Sequence, residues 1–383
     1  MAQSPGDWIS RADGVARDVL ARHAAEVDRE ARWPAESVTA LAGAGLLGLT
    51  VPTATGGGGQ GPRTFATVVS RLAEHCASTA MIYLMHVCGT QTIAAAKGFG
   101  LRDLVLKDIA AGRHLSTLAF SEKGSRSHFW APIGQAVAAS GETRRISANK
   151  SWVTSAGQAD SYVVSTRTAN TTEPTASTLY FVPKGAHGLT VTGRWTGLGL
   201  RGNASAPMRL QDVSVRTADQ VSGDGEGFGV MVNTVLPWFQ LGSAAVAVGI
   251  ARAATEGVRQ HLSAAQLEHM GQSLASLPNL RAELARMRIS SDVQSAFLDY
   301  VAARMEDPQP DTMLAVLESK ASATEALLDV TDRAMRACGG TAFSGRLSVE
   351  RNFRDARAGS VMAPTTEVLY DFVGKAVLGI PLF

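Results

Sequence analysis

Two stretches decide how this chain is read: Leu118-Ala119-Phe120-Ser121-Glu122-Lys123-Gly124-Ser125 and, further on, Asn149-Lys150-Ser151-Trp152-Val153-Thr154-Ser155-Ala156-Gly157. The first is an apolar run ending in Ser121, the pattern of a strand that delivers a hydroxyl and backbone N–H groups at its end. In the second, Trp152 and Thr154 are two residues apart, so a strand presents the indole and the hydroxyl together. That pair suits a flat, polar ring system. A structural Trp beside a solvent-facing Thr is spelled the same way, and the two residues alone leave both readings open.

Outward from these stretches the texture is β. Residues 133–139, 145–153, 161–167, 177–182, 189–192 and 208–215 alternate or cluster as strands, with turns at Gly141, Gly185, Gly188 and Gly202. On the N-terminal side the period is helical. Ile9, Ala12, Val15, Ala16, Val19 and Leu20 share one face, Pro34 opens a second helix, and 65–98 reads as a long helix that is apolar through Met81, Ile82, Tyr83, Leu84, Met85, Val87 and Cys88. His86 falls inside that segment, either as a hydrogen-bonded core residue or as a group lining a cavity. Residues 102–111 give another helix. The four glycines Gly56 to Gly59 read as a turn, because Pro62 and Arg63 separate them from the next helix start and a phosphate cradle needs that start close by. Past the glycine-rich turn at 223–227 the helical period returns over 230–262, 274–305, 312–337 and 361–378. Helices, then strands, then helices gives an α+β plan: an N-terminal α-helical domain (1–114), a central antiparallel β-domain (115–220) and a C-terminal helical bundle (221–383).

Composition sets the class. The chain has 383 residues, 45% of them apolar and 18% charged, with 36 Lys and Arg against 34 Asp and Glu. A net charge of +2 without a basic run gives no electrostatic support for a nucleic-acid or anionic-membrane partner. Cys76, Cys88 and Cys338 share no metal-type spacing, so no metal site is expected, and an odd, sparse count fits a reducing compartment. Asp7, Arg11 and Asp13 interrupt the N-terminus, so neither a signal peptide nor a membrane span is expected there, and the cytoplasm is the expected location.

The order of these elements, together with Gly45-Leu46-Leu47-Gly48-Leu49-Thr50-Val51-Pro52, residues 118–127, residues 150–157, Leu198-Gly199-Leu200-Arg201-Gly202, Cys338-Gly339-Gly340 and Val349-Glu350-Arg351-Asn352-Phe353-Arg354-Asp355, resembles the acyl-CoA dehydrogenase superfamily. The resemblance covers nearly the whole chain. It implies a helical N-terminal domain, a central antiparallel β-barrel and a C-terminal four-helix bundle, assembled as a homodimer or homotetramer around FAD. Phe120 and Ser121 then meet the flavin pyrimidine edge, Trp152 lies beside the flavin ring, and Thr154 brings a hydroxyl near its N5. Ser127 corresponds to a serine of the phosphate-binding turn, Gly339 and Gly340 to a pair that lets a neighbouring subunit's backbone approach the cofactor, and Thr365 and Glu367 to positions that touch the FAD. The flavin supplies redox chemistry and the protein orients and tunes it.

The departures bear on the reaction. Acyl-CoA-oxidising members of the superfamily remove the substrate's α-proton with a glutamate just before a Gly-Thr, and Ala363 of Val361-Met362-Ala363-Pro364-Thr365 stands in that place. Other members place the glutamate on an earlier bundle helix, where this chain has Phe239, followed by Gln240 in place of an arginine. Lys123 replaces a proline, and Arg126 and His128 replace a glycine and an acid. The bundle's cofactor motif survives only as Leu267-Glu268-His269-Met270-Gly271, with Pro278 at the usual downstream glutamine. General-base help is typically worth ~10²- to 10⁴-fold, so its loss at both places decides much. Three routes remain. An acyl thioester, on CoA or a carrier protein, is dehydrogenated with a base from elsewhere, for which His86, Glu122 and His128 are the candidates. Alternatively the chain is a flavin-dependent monooxygenase or oxidase using reduced flavin and O₂, with FMN as the alternative cofactor. The third route is a non-catalytic relative. An electron-transfer partner or a flavin reductase completes the first two.

Overall fold

Ser4 accepts the amide of Asp7, the Asp7 carboxylate accepts that of Ser4, and Pro5 fixes the first turn, so α1 (Pro5–Val15) starts at a capping box. The computed structural model describes residues 4–126, 128–168, 171, 173 and 175–383. A π-turn at Ala16–Leu20 leads into α2 (Ala21–Glu30), and α3 (Ala35–Gly43), α4 (Pro62–Ala73), α5 (Ala77–Ala95) and α6 (Arg102–Ala110) complete the first helical unit. α5 is buried nearly all round, as its unbroken apolar sequence requires, and packs on α4, on α8 below and on the first strand.

The middle of the chain is one sheet: β1 (Ser116–Ala119), β2 (Gln135–Ala138), β3 (Thr143–Val153), β4 (Ser161–Arg167), β5 (Ser177–Pro183), β6 (Leu189–Val191) and β7 (Ala206–Arg216). β3 runs antiparallel to β7 with Ile146 opposite Val213, and β4 antiparallel to β5 with Val163 opposite Phe181. The expected closed antiparallel barrel is corrected here. β1 lies parallel to β4, with Leu118 opposite Val163, β2 touches β4 in parallel at Gln135–Arg167, and among the described residues β6 does not pair back to β1 or β5. The sheet is mixed and curls into a half-barrel. Side-chain alternation reports which residues face the core and says nothing of strand direction, and the parallel contacts join strands that no hairpin links.

The C-terminal unit holds α7 (Gly227–Val230), a π-turn, α8 (Leu236–Ala264), α9 (Pro278–Glu306), α10 (Thr312–Phe343), α11 (Ser348–Val361) and α12 (Thr366–Leu378). α8 and α10 form its centre, with α9, α11 and α12 around them. The helical span read over 361–378 is two elements: α11 ends at Val361, and a connector carries the chain through Ala363 to α12. The continuous run 227–264 is long and apolar enough to cross a membrane, but 78% of its most apolar window is buried inside the protein, as suits a core helix.

Three units meet at Arg354. From α11 its guanidinium grips Asp28 of α2 (2.9 and 2.5 Å), pairs with Glu350, and donates to the carbonyl of Leu198 (3.2 Å). Gly199 allows this approach, since a Cβ there would fall 2.5 Å from the Arg354 carbonyl oxygen.

Candidate functional site

The two opening stretches lie side by side. Beyond β1 the chain stays paired with β3: the Ser151 amide donates to the Ser121 carbonyl (2.8 Å), and Glu122 bridges to Lys150. The β3–β7 register slips between Lys150 and Val153, and Trp152 sits in this irregularity at φ 56°, a left-handed conformation rare for an aromatic residue. Its indole is 66% exposed and meets Trp195 edge-on at 5.6 Å. Thr154, in contrast, is buried, its hydroxyl 3.1 Å from that of Ser205. Ser121 is half-buried and Phe120 is buried, stacked on Phe129 at 6.4 Å. Strain of this kind concentrates where a surface is built for a ligand.

A buried ion pair underlies that surface. Lys150 Nζ donates to Glu122 Oε1 (2.7 Å), to the Ser165 carbonyl (2.6 Å) and hydroxyl (3.2 Å), and to the Phe120 carbonyl (3.4 Å). Glu122 also accepts the amides of Ile133 (3.2 Å) and Gly134 (2.8 Å). Burial lowers the Lys150 pKa from its ordinary value, against the pull of Glu122. Both oxygens of Glu122 are committed to these donors, so geometry makes it a strut joining β1, β3 and β4.

His86 is likewise committed. Its Nε2 meets the Leu47 carbonyl (3.0 Å), so that nitrogen carries the proton, and Nδ1 accepts the Ser116 amide (3.1 Å). Burial brings its pKa down to about 4. Of the three candidate bases, His128 alone is exposed, its ring edge-on to Trp130 at 5.1 Å and without a side-chain hydrogen bond among the described residues. Ser127 lies outside the described residues.

At the far end of the chain, Gly339 breaks α10 at φ 55°, and nothing lies within 4 Å of where a Cβ at Gly339 or Gly340 would stand. Both are exposed, which leaves the backbone open to approach. Thr365 immediately precedes α12 and accepts the Leu369 amide (3.0 Å), and Glu367 is exposed on the first turn of α12. Ala363 lies half-buried between Met362 and Pro364, and Phe239 half-buried on α8.

Family models for the N-terminal, middle and C-terminal domains of acyl-CoA dehydrogenase match residues 8–113, 117–213 and 225–378 in order. The chain belongs to the acyl-CoA dehydrogenase family. The human mitochondrial short-chain specific acyl-CoA dehydrogenase is 27% identical over 348 residues, 90% of this chain and 83% of the relative. Among solved structures, butyryl-CoA dehydrogenase from Megasphaera elsdenii superposes with a TM-score of 0.92 at 22% identity, covering 98% of each chain. PigA with FAD and proline gives 0.88 at 17% identity, over 99% of this chain and 98% of that one.

As an acyl-CoA dehydrogenase family member the protein is an oxidoreductase with FAD as its cofactor. The residues present fit the ring end of that group: an exposed indole held in a strained backbone beside a buried hydroxyl pair, and a half-open Ser121 on the neighbouring strand. One buried cation beside Ala363 escaped the sequence reading. Lys320 of α10 is fully buried, its Nζ bonded to the carbonyls of Met362 (2.8 Å) and Pro364 (2.5 Å) and 5.9 Å from the centre of the Phe239 ring. The signal was there to find: a lysine on the apolar stripe Val316, Ala323, Leu327 and Val330, where burial leaves a charge no water.

Proposed function

We propose that this enzyme introduces a double bond α,β to the carbonyl of an acyl thioester, carried on CoA or a carrier protein. The observation that carries this is the surface formed by Ser121, Trp152 and Thr154, held by the Glu122–Lys150 strut in a chain that matches all three family domains. Bound at this surface, FAD would supply the acceptor for the hydride of the β-carbon. Trp152, the Thr154 and Ser205 hydroxyls, and the Ser121 segment fixed through Ser151 are the residues that would hold its ring. The α-proton goes to a group other than a carboxylate at 363 or 239, and His128 is the exposed candidate, without a side-chain hydrogen bond among the described residues. The open backbone at Gly339–Gly340 supports a second copy of the chain closing over the cofactor, as homodimer or homotetramer. An electron-transfer partner would accept the electrons from the reduced cofactor. Three unpaired, buried cysteines suit a reducing compartment, the cytoplasm.

A second reading is favoured by one observation: both positions where the family places its carboxylate are apolar, Ala363 and the Phe239 ring. A flavin-dependent monooxygenase or oxidase has no use for that base. Anaerobic mixing of the oxidised holoenzyme with acyl-CoAs of several chain lengths separates the two. Bleaching of the flavin absorbance is the result expected from dehydrogenation. No bleaching, with O₂ consumed when reduced flavin is supplied, reverses the ranking.

A further inference from the structure

Lys320 stands one turn after Val316 and one turn before Thr324 on the buried stripe of α10, with no solvent exposure. The two carbonyls that accept from its Nζ belong to Met362 and Pro364, the neighbours of Ala363 on either side. From the opposite side, α8 brings the Phe239 ring to 5.9 Å. One cation therefore lies against both places where this family leads one to expect a carboxylate, and both places hold apolar residues. Among the described residues no carboxylate pairs with it, and the one whose field reaches it is Glu367, exposed on α12. Among the described residues no other charged group acts on it: α8 offers the Phe239 ring, and the α11–α12 connector offers carbonyls. Burial without a counter-ion brings the Lys320 pKa down to about 7.

A second observation points the same way. Gln240, beside Phe239, is completely buried with neither amide atom partnered, and the hydroxyls of Ser243, one turn on, and Thr366, just past the connector, are buried and unpartnered too. Buried polar groups nearly always find partners. Gln240 and Ser243 follow Phe239 on α8 and Thr366 follows the connector, so both elements that meet the cation also carry buried polar groups that a polar ligand would complete.

We propose that Lys320 is a positioning residue that clamps the connector at Ala363 and sets a positive potential there, and that the acyl group the enzyme prefers carries its own carboxylate, which occupies the room left by alanine. Because the ammonium lies behind the connector backbone, it acts through the Met362–Pro364 segment and its field, not by touching the substrate. This rests on the acyl-thioester reading above.

The test is binding of succinyl-CoA against pentanoyl-CoA, its uncharged analogue of equal length, to the oxidised holoenzyme, read as perturbation of the flavin spectrum. Succinyl-CoA is expected to bind at least about tenfold tighter, because the cation's field favours the charged acyl group without a direct contact. The preference persists in Lys320→Arg, which keeps charge and donors. It disappears in Lys320→Met, and in Ala363→Glu, which fills the place with a carboxylate of its own. It also fades as pH rises above about 7 in the native protein and not in Lys320→Arg, a split that a purely structural lysine does not produce. Equal affinity for the two thioesters, or a preference unchanged in Ala363→Glu, overturns the proposal even where Lys320→Met fails to fold. An intact preference with no flavin reduction by any acyl-CoA sinks the dehydrogenation reading alone.

Discussion

The carboxylate of Asp355 on α11 accepts the backbone amide of Leu200 at 2.6 Å, joining the bundle to the loop that leads into β7. Asp355 is buried, and burial raises its pKa to about 6 although the Leu200 amide and Arg351 favour the ion. In the unfolded chain the group titrates near 3.8, so between pH 4 and 6 the folded state holds more protons. Its contribution is complete below the unfolded value and declines as pH rises to 6. Asp355→Asn keeps an acceptor for Leu200 and removes that decline. Asp355→Ala leaves a buried N–H without a partner and costs about 1–3 kcal/mol. Denaturant unfolding at pH 4 and pH 7 reads both.

The Glu122–Lys150 pair is completely enclosed, so removing one partner leaves an uncompensated charge. Lys150→Met is expected to cost about 3–5 kcal/mol. Lys150→Met combined with Glu122→Gln costs less than the sum of the singles, because glutamine still accepts from Gly134 and no charge remains. The same variants loosen the Ser121 segment, since Lys150 also holds the Phe120 carbonyl, and bound flavin measured after gel filtration falls with them.

What the sequence disclosed was whatever repeats along the chain. Strands 161–167 and 177–183 announce themselves by β-branched and aromatic runs between turns, and α5 by an apolar stretch too long for a strand. Pairings between distant strands leave no such trace, which is why the half-barrel replaced the barrel. Side-chain commitments are equally silent. Glu122 and His86 look free in the sequence because their partners, Lys150 and the Leu47 and Ser116 backbones, come from other elements. For Lys320 the apolar stripe of Val316, Ala323, Leu327 and Val330 was visible, but its partners, the Met362 and Pro364 carbonyls, come from a distant segment.

His86 gives a pH signature of its own. With a pKa of about 4 in the folded protein against 6.5 in the open chain, the unfolded state binds more protons between those values. Stability is therefore lost as pH falls from 6.5 to 4, by roughly 3 kcal/mol at the lower end. His86→Gln retains one donor and one acceptor and does not titrate. Its melting temperature is expected to vary less over this range than that of the native protein, and an identical slope in the two would show that His86 is not the group responsible.

The flavin seat is tested most directly at Thr154 and Trp152. Thr154→Val keeps the β-branched shape that fits the strand end and removes only the hydroxyl, leaving Ser205 without its partner. A neutral hydrogen bond is worth about 0.5–1.5 kcal/mol, so flavin affinity measured by quenching of flavin fluorescence is expected to fall about two- to tenfold. Trp152→Gly acts in two directions. Glycine adopts φ 56° without strain, so the fold is preserved or gains stability, while the indole proposed to cover the cofactor is gone. Thermal unfolding of the apoprotein is therefore expected to be unchanged or raised while flavin binding weakens by more than in Thr154→Val. A Trp152→Gly protein that loses stability without flavin yet binds it as well as the native chain would place the indole in the core's service and not the cofactor's.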